Sequence, residues 1–288
     1  MQNPIEIAII GGSGLYSMEG LEDTQTIEVD TPYGRPSAPF VRGTLEGRQV
    51  VFLARHGMGH AISPSEVPYR ANIYALKSLG VDTVISISAC GSLREDFVPG
   101  EIVIPDQLMD FTRQRARTFF EDGLVAHVSV ATPFCPELSS TLYQAVVEAG
   151  GNAHFSGSLI TIEGPRFSTR AESNTFRSWG MSIINMSTAP EAFLAREAEM
   201  CYAVMNHVTD YDVWHISEEP VTVEMVIEIL NRNTELAKQA VRNLVKNICS
   251  ERNCACRSAL KTALITRHDV VPEETKRKLH LLIGKYLG

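Results

Sequence analysis

No apolar stretch in this sequence approaches the roughly 20 residues that a membrane-spanning helix needs, so no such helix is expected. The opening residues Met1-Gln2-Asn3-Pro4-Ile5-Glu6 lack the basic start and long apolar region of a secretory leader, and the expected location is cytoplasmic. A cationic excess is missing too. The 26 Lys and Arg are outnumbered by 34 Asp and Glu, and a net charge of −8 argues against a nucleic-acid surface. It leaves a small anionic ligand open, because local arginines and backbone N–H groups decide that. No Pro/Ser-rich linker, low-complexity tract or internal repeat divides the chain. Its 288 residues are therefore read as one domain, 1–288, with 250–288 as a helical extension whose role stays open.

Two nucleotide signatures are absent as well. Gly12-Ser13-Gly14 is followed by Leu15, Tyr16 and Ser17, so the Gly-x-Gly-x-x-Gly fingerprint fails and a dinucleotide-binding oxidoreductase is disfavoured. No Gly-Lys-Ser/Thr follows, which excludes a P-loop. What survives is an open backbone with one hydroxyl, able to hold phosphate or simply to turn the chain. None of the six cysteines forms a Cys-x-x-Cys pair, so no zinc spacing is present and no metal is expected. Cys90, Cys135 and Cys201 sit among apolar residues and read as buried thiols. For Cys254-Ala255-Cys256 three readings stay open: a strained redox pair, a set of disulfide partners, or a surface accident.

What is present is a globular profile, 44% hydrophobic and 21% charged. Apolar runs at 5–10, 50–54, 81–88, 101–105, 158–162, 182–186 and 201–208 predict strands. Helical spacing predicts helices at 69–79, 138–149, 171–179, 190–199, 223–247 and 276–286. Alternating elements with nearly continuous apolar strands imply an α/β domain with a largely buried sheet. Ligands of such sheets bind beyond the carboxyl ends of the strands. Polar clusters recur there: Ser13, Arg55-His56, Ser88, Glu163 to Ser168, Met186-Ser187, and Asp210 to Asp212. Their recurrence points to one shared crevice.

Each cluster has its chemistry and its plainer alternative. In residues 158–173 a β-prone run ends in Glu163, Gly164-Pro165 breaks it, and Arg166, Phe167, Ser168 and Thr169 follow. That combination suits a small, polar, planar ligand, or an ordinary turn. Arg55 offers bidentate recognition of phosphate and His56 a further donor; the competing reading is a buried structural pair. Ser88, Ser187 and Ser13 would complete an anion cage. Asp210 and Asp212 should project the same way along an extended chain. One becomes a proton donor if burial or its neighbour raises its pKa, while the other accepts from an exocyclic amine. Val223, Val226 and Ile227 share a helix face, as core or as an apolar pocket wall.

Ile9-Ile10-Gly11-Gly12-Ser13-Gly14-Leu15, Ala54-Arg55-His56-Gly57, Ser88-Ala89-Cys90-Gly91-Ser92-Leu93-Arg94-Glu95, Thr161-Ile162-Glu163-Gly164-Pro165-Arg166-Phe167-Ser168, Asn185-Met186-Ser187 and Thr209-Asp210-Tyr211-Asp212 occur in this order. Jointly they resemble the purine nucleoside phosphorylase family, from about residue 5 to residue 247. The resemblance implies an α/β fold with a central mixed, partly barrel-like sheet flanked by helices. It also implies a homotrimer, or a dimer of trimers, with sites near subunit boundaries. The implied reaction is phosphorolysis: nucleoside plus phosphate gives free base and sugar 1-phosphate, with no metal or organic cofactor. By resemblance, Ser13, Arg55, His56, Ser88, Ala89 and Ser187 bind phosphate. Phe167 faces base or ribose, Met186 the ribose, Asp210 and Asp212 the base, and Val223, Val226 and Ile227 the 5′ group. His127 resembles a residue reaching into a neighbouring subunit's site. Ser13 and Ser187 replace threonines common in the family and keep the hydroxyl. The tail beyond residue 250 departs from the animal enzymes, and its Cys-x-Cys resembles thermophilic relatives.

The two acids favour a 6-amino over a 6-oxo purine, by about 1–3 kcal/mol or more. The Val/Ile wall favours a 5′-methylthio group over a hydroxyl, so 5′-methylthioadenosine is the expected substrate, with adenosine slower. A 6-oxopurine or methylthioinosine phosphorylase is the alternative within the class. A nucleoside-binding module without turnover is the alternative outside it.

Overall fold

Strands made only of apolar residues belong inside a sheet covered on both faces, and the longest runs of this chain form its centre. In a computed structural model that describes residues 6–12, 14–15, 18–215, 223–249 and 253–287 (backbone alone at 225–226 and 228–232), four parallel strands lie side by side. They are β4 (Arg48–Ala54), β1 (Ile7–Gly11), β5 (Thr83–Ser92) and β11 (Cys201–Asp210). Every residue of β1 and β11 is buried. β3 (Phe40–Leu45) and β2 (Glu22–Ile27) extend the β4 side antiparallel, and β2 is almost wholly exposed.

Strand β5 is long enough to serve two neighbours on one edge. Its first residues pair with β1, while Gly91 and Ser92 pair antiparallel with β10 (Ile183–Asn185). Strand β10 carries β9 (Ser158–Ile162) and then β7 (Gln107–Phe111), both parallel. On the other side β11 pairs β6 (Ile102–Ile104), which pairs β8 (Ala153–Phe155). The result is an 11-stranded mixed sheet that branches at β5. It does not close, because that branch splits the sheet instead of wrapping it, so the barrel-like expectation is replaced by an open sheet.

Alternate side chains of the central strands feed two cores. Ala8, Ile10, Val51, Leu53, Val84 and Val204 pack with α1 (Tyr69–Ser78), α4 (Thr188–Glu197) and α6 (Glu273–Leu287). Ile7, Ile9, Phe52, Ile85, Ala203 and Met205 pack with α2 (Pro136–Glu148) and α5 (Val223–Asn247). The sixth helix, α3 (Arg170–Ser178), starts at Thr169, whose hydroxyl accepts from the Glu172 N–H while Glu172 reaches back, a capping box. The tail is part of the first core: Leu260, Ala263, Val271, Leu279, Leu282 and Ile283 are buried there. Among the described residues no helix is long and apolar enough to cross a membrane.

Candidate active site

A cavity of about 830 Å³ opens where β1, β4, β10 and β11 end, alongside the second half of β5. Most of the residues singled out in the sequence meet on its wall: Arg55, His56, Ser88, Ala89, Phe167, Met186, Ser187, Asp210, Asp212, Val223 and Ile227. Ser13 and the side chain of Val226 lie outside the described residues. His127 is not on the wall; it is exposed, in a loop where its N–H donates to the Ala263 carbonyl (2.8 Å).

One wall carries the cationic residue, but its fork is already occupied. Arg55 is buried at the end of β4 and donates from Nε (2.9 Å) and Nη2 (3.0 Å) to the two carboxylate oxygens of Glu191. Nη2 also donates to Ser86 Oγ (2.6 Å) and Nη1 to the Ile87 carbonyl (3.1 Å). Burial opposes the charge, yet the adjacent Glu191 carboxylate raises the Arg55 pKa above its ordinary value. Arg55 is thus a buried pair and a cavity residue at once. Bidentate recognition of a ligand is excluded, and one Nη1 hydrogen is left for it.

Beside it, Ser88 Oγ lies 3.0 Å from Ser187 Oγ. Ser187 directly precedes α4, and its hydroxyl makes no capping bond. Ser88 was expected to end its strand, but β5 continues through Ala89, Cys90 and Gly91 to Ser92, so these residues line the cavity from within the strand. His56 Nδ1 is 2.9 Å from the Ile62 carbonyl, which only accepts, so Nδ1 carries the proton. Burial first, and the Arg55 charge second, push His56 down to about 4. At neutral pH the ring is uncharged and its Nε2 is an acceptor, not the expected second donor.

The opposite wall is acidic. Asp210 is the last residue of β11, 8% exposed. Its Oδ1 accepts from the Asp212 N–H (2.7 Å) and its Oδ2 from the Thr209 hydroxyl (2.6 Å). Burial, reinforced by the Asp212 charge and opposed by those two bonds, pushes Asp210 up to about 6. Burial also raises Asp212. Asp212 does not continue an extended chain: its φ is 50°, so the two carboxylates are brought together by a turn and not by strand alternation. Asp212 Oδ2 and Ser168 Oγ are buried with no hydrogen-bond partner among the described residues. Gly91 makes room for the pair, since a Cβ there would meet Asp210 Oδ1 at 2.9 Å and Asp212 Cβ at 3.2 Å.

The segment 158–173 contributes less charge than its sequence implies. The Glu163 carboxylate accepts from Ser65, the N–H groups of Arg113 and Gln114, and Arg115 Nε. Burial opposes its charge, but these donors hold it down at about 2. Arg166 pairs with Glu172 through two bonds of 2.7 Å. Neither charge lines the cavity, whereas Pro165, Phe167 and Ser168 do. At Gly164 (φ +65°) a Cβ would lie 2.6 Å from Met186 Sδ, so the bare backbone is what lets Met186 reach the wall.

The sequence reading missed His207, His60 and Asn233 and gave Thr209 and Asn185 no role beyond their motifs; all five also line the cavity. His207 is buried, pushed down to about 4 by that burial, and its Nδ1 has no partner among the described residues. The signal for it was an Asn206-His207 pair inside an otherwise apolar strand, where buried polar groups demand a reason.

The geometry has a counterpart in known proteins. Residues 6–246 match the model of the phosphorylase superfamily. The S-methyl-5'-thioadenosine phosphorylase of Geobacter sulfurreducens is 55% identical over 98% of this chain and 99% of its own. That of Koribacter versatilis is 53% identical over 98% and 97%. A methylthioadenosine phosphorylase from an Antarctic soil metagenomic library superimposes with a TM-score of 0.93 at 48% identity, covering 98% of this chain and 99% of the other. An adenosine/methylthioadenosine phosphorylase variant of Schistosoma mansoni, solved with adenine, does so with a TM-score of 0.86 at 37% identity, covering 90% and 99%.

Proposed function

This chain belongs to the phosphorylase superfamily, among the purine nucleoside phosphorylases, and from that premise we propose how its cavity works. The enzyme is a pentosyltransferase that cleaves S-methyl-5'-thioadenosine with phosphate to adenine and 5-methylthioribose 1-phosphate, a step of purine and methionine salvage. One observation carries the assignment of the base: Asp212 Oδ2 is buried, has no partner among the described residues, and lies beside an Asp210 pushed up to about 6. An adenine satisfies both. Its 6-amino group donates to Asp212, and its N7 takes the proton of Asp210 as the C1′–N9 bond breaks. At pH 7 roughly one Asp210 in ten is protonated before substrate arrives.

Phosphate binds across the sugar from the acids. The remaining Arg55 hydrogen, the Ser88, Ser187 and Ser13 hydroxyls and the Ala89 backbone hold it, and His56 Nε2 accepts from its P–OH. A deprotonated oxygen is then free to form the bond to C1′ and to stabilise the positive charge growing there. Phe167 stacks on base or ribose, Met186 packs on the ribose, and Val223, Val226 and Ile227 enclose the methylthio group. The chemistry asks for no metal or organic cofactor in this cavity.

Phe167 (38%), Val223 (57%) and Ile227 (51%) are unusually exposed for a pocket wall. This open apolar rim supports a homotrimer in which a neighbouring copy covers the site and brings its His127 towards it. Sedimentation should give a trimer or a dimer of trimers. The cytoplasm, where the substrate's chemistry belongs, is the proposed location.

Release of the free base, adenine from methylthioadenosine and adenosine and hypoxanthine from methylthioinosine and inosine, measured with and without phosphate, tests the reaction. Methylthioadenosine should be fastest and strictly phosphate-dependent. Equal or faster inosine cleavage would refute the base assignment, and binding without turnover would leave only a nucleoside-binding module.

A further inference from the structure

Away from the cavity, the fold gathers four cysteines that the sequence scatters. Cys135 precedes α2, Cys201 opens β11, and Cys254 and Cys256 flank Ala255 in the tail. All six cysteines of the chain are free thiols. The sulfurs of these four lie within 4.8 Å of one another, and Cys201 Sγ and Cys254 Sγ are 3.3 Å apart. Four sulfurs held about 2.3 Å from one tetrahedral zinc stand about 3.8 Å apart, within the spread seen here. Cys135, Cys201 and Cys256 are buried, and Cys254 is half-buried.

The surroundings suit an anionic centre. Arg196 Nη1 donates to Cys256 Sγ at 3.5 Å, and Nη2 donates to the Thr132 carbonyl at 2.6 Å. Among the described residues its buried Nε has no partner and no carboxylate lies within ion-pair distance of Arg196. Set against four neutral thiols, this half-buried cation has no counter-charge among those residues. Set against a zinc tetrathiolate of charge −2, it is paired. A small cavity of about 40 Å³ beside Cys135 and Cys201 leads past Ile248 and Cys249.

We propose that Cys135, Cys201, Cys254 and Cys256 form a tetrahedral zinc site. Binding replaces one proton on each thiol by a sulfur–zinc bond, releases four protons and needs no oxidant. Four protein ligands leave no open position, and none of the four lines the 830 Å³ cavity, so the site is structural. It fastens the tail to the start of α2 and to β11. It stands independently of the reaction assigned to the cavity.

Metal analysis of the full-length protein, purified under reducing conditions without chelator, should find one zinc per chain. Cobalt(II) exchanged into the wild type should show the intense visible absorption of a tetrahedral tetrathiolate. Cys249→Ser should keep the metal. The double variant Cys254→Ser/Cys256→Ser should lose it and melt several degrees lower while still cleaving nucleoside at low temperature. The wild-type cobalt spectrum decides the matter even if that variant does not fold. A metal-free protein with four alkylatable thiols would overturn the proposal. So would a non-reduced mass lighter by four hydrogens, the mark of two disulfides.

Discussion

The two walls of the cavity treat charge in opposite ways. On the phosphate side, Arg55 is neutralised by Glu191, which in turn accepts from the Tyr202 hydroxyl (2.8 Å). On the purine side, two buried carboxylates sit in one turn, and among the described residues neither has an ion-pair partner and one oxygen makes no hydrogen bond. The first arrangement is built for rigidity: hydrogen bonds of fixed direction, not net charge, receive the anion. The second stores instability where the chemistry needs a proton. For an acid raised from 3.8 to about 6, the favourable contribution is present below pH 3.8 and lost as pH rises through about 6. At neutral pH the ionised Asp210 therefore costs the fold about 3 kcal/mol.

Asp210→Asn should break the purine wall most severely. We expect kcat to fall by roughly 10²–10⁴-fold while urea unfolding shows equal or greater stability. With Asp210 pushed up to about 6, kcat/KM of the parent should decline above about pH 6, and that alkaline limb should vanish in the variant. Wild-type turnover in this variant would remove Asp210 as the acid. Glu191→Gln should do the reverse, leaving Arg55 buried without its counter-charge. A loss of about 3–5 kcal/mol should appear as a melting temperature lower by roughly 10 °C. An unshifted melt would mean that the pair does not hold the phosphate wall.

Finer substitutions sharpen the contrast. Asp212→Asn should reduce kcat/KM for methylthioadenosine by about 10–100-fold, the equivalent of about 1–3 kcal/mol, and relax discrimination against methylthioinosine. If discrimination is retained, the 6-amino group is read elsewhere. Ile227→Thr should have the smallest effect. The preference for methylthioadenosine over adenosine should narrow by about 3–10-fold, read from the ratio of the two kcat/KM values.

Much of this was legible beforehand because it is local. Apolar runs became β1, β5 and β11, and the periodicity at 223–247 became α5 with the same bounds. Of the described polar residues expected at strand ends, Arg55, His56, Ser88, Ser187, Asp210 and Asp212 share one cavity. Other features escaped for physical reasons. β2 reads Glu-Asp-Thr-Gln-Thr-Ile and lies at an exposed edge, so it needs no apolar alternation. Glu163 and Arg166 sit in the most suggestive stretch, yet each finds a partner outside the cavity. His207 sat in plain view inside a strand read only for its apolar residues.

Strand material and strand-end chemistry were written into the sequence, whereas the turn that brings Asp212 to Asp210 was not. The first two depend on neighbours along the chain, whose geometry the backbone dictates. Tertiary structure alone decided that Arg55 meets Glu191, 136 residues away, and that Cys201 meets Cys254, 53 residues away. Charge compensation and thiol clustering depend on distance in space, and the fold sets that distance only after distant segments have packed.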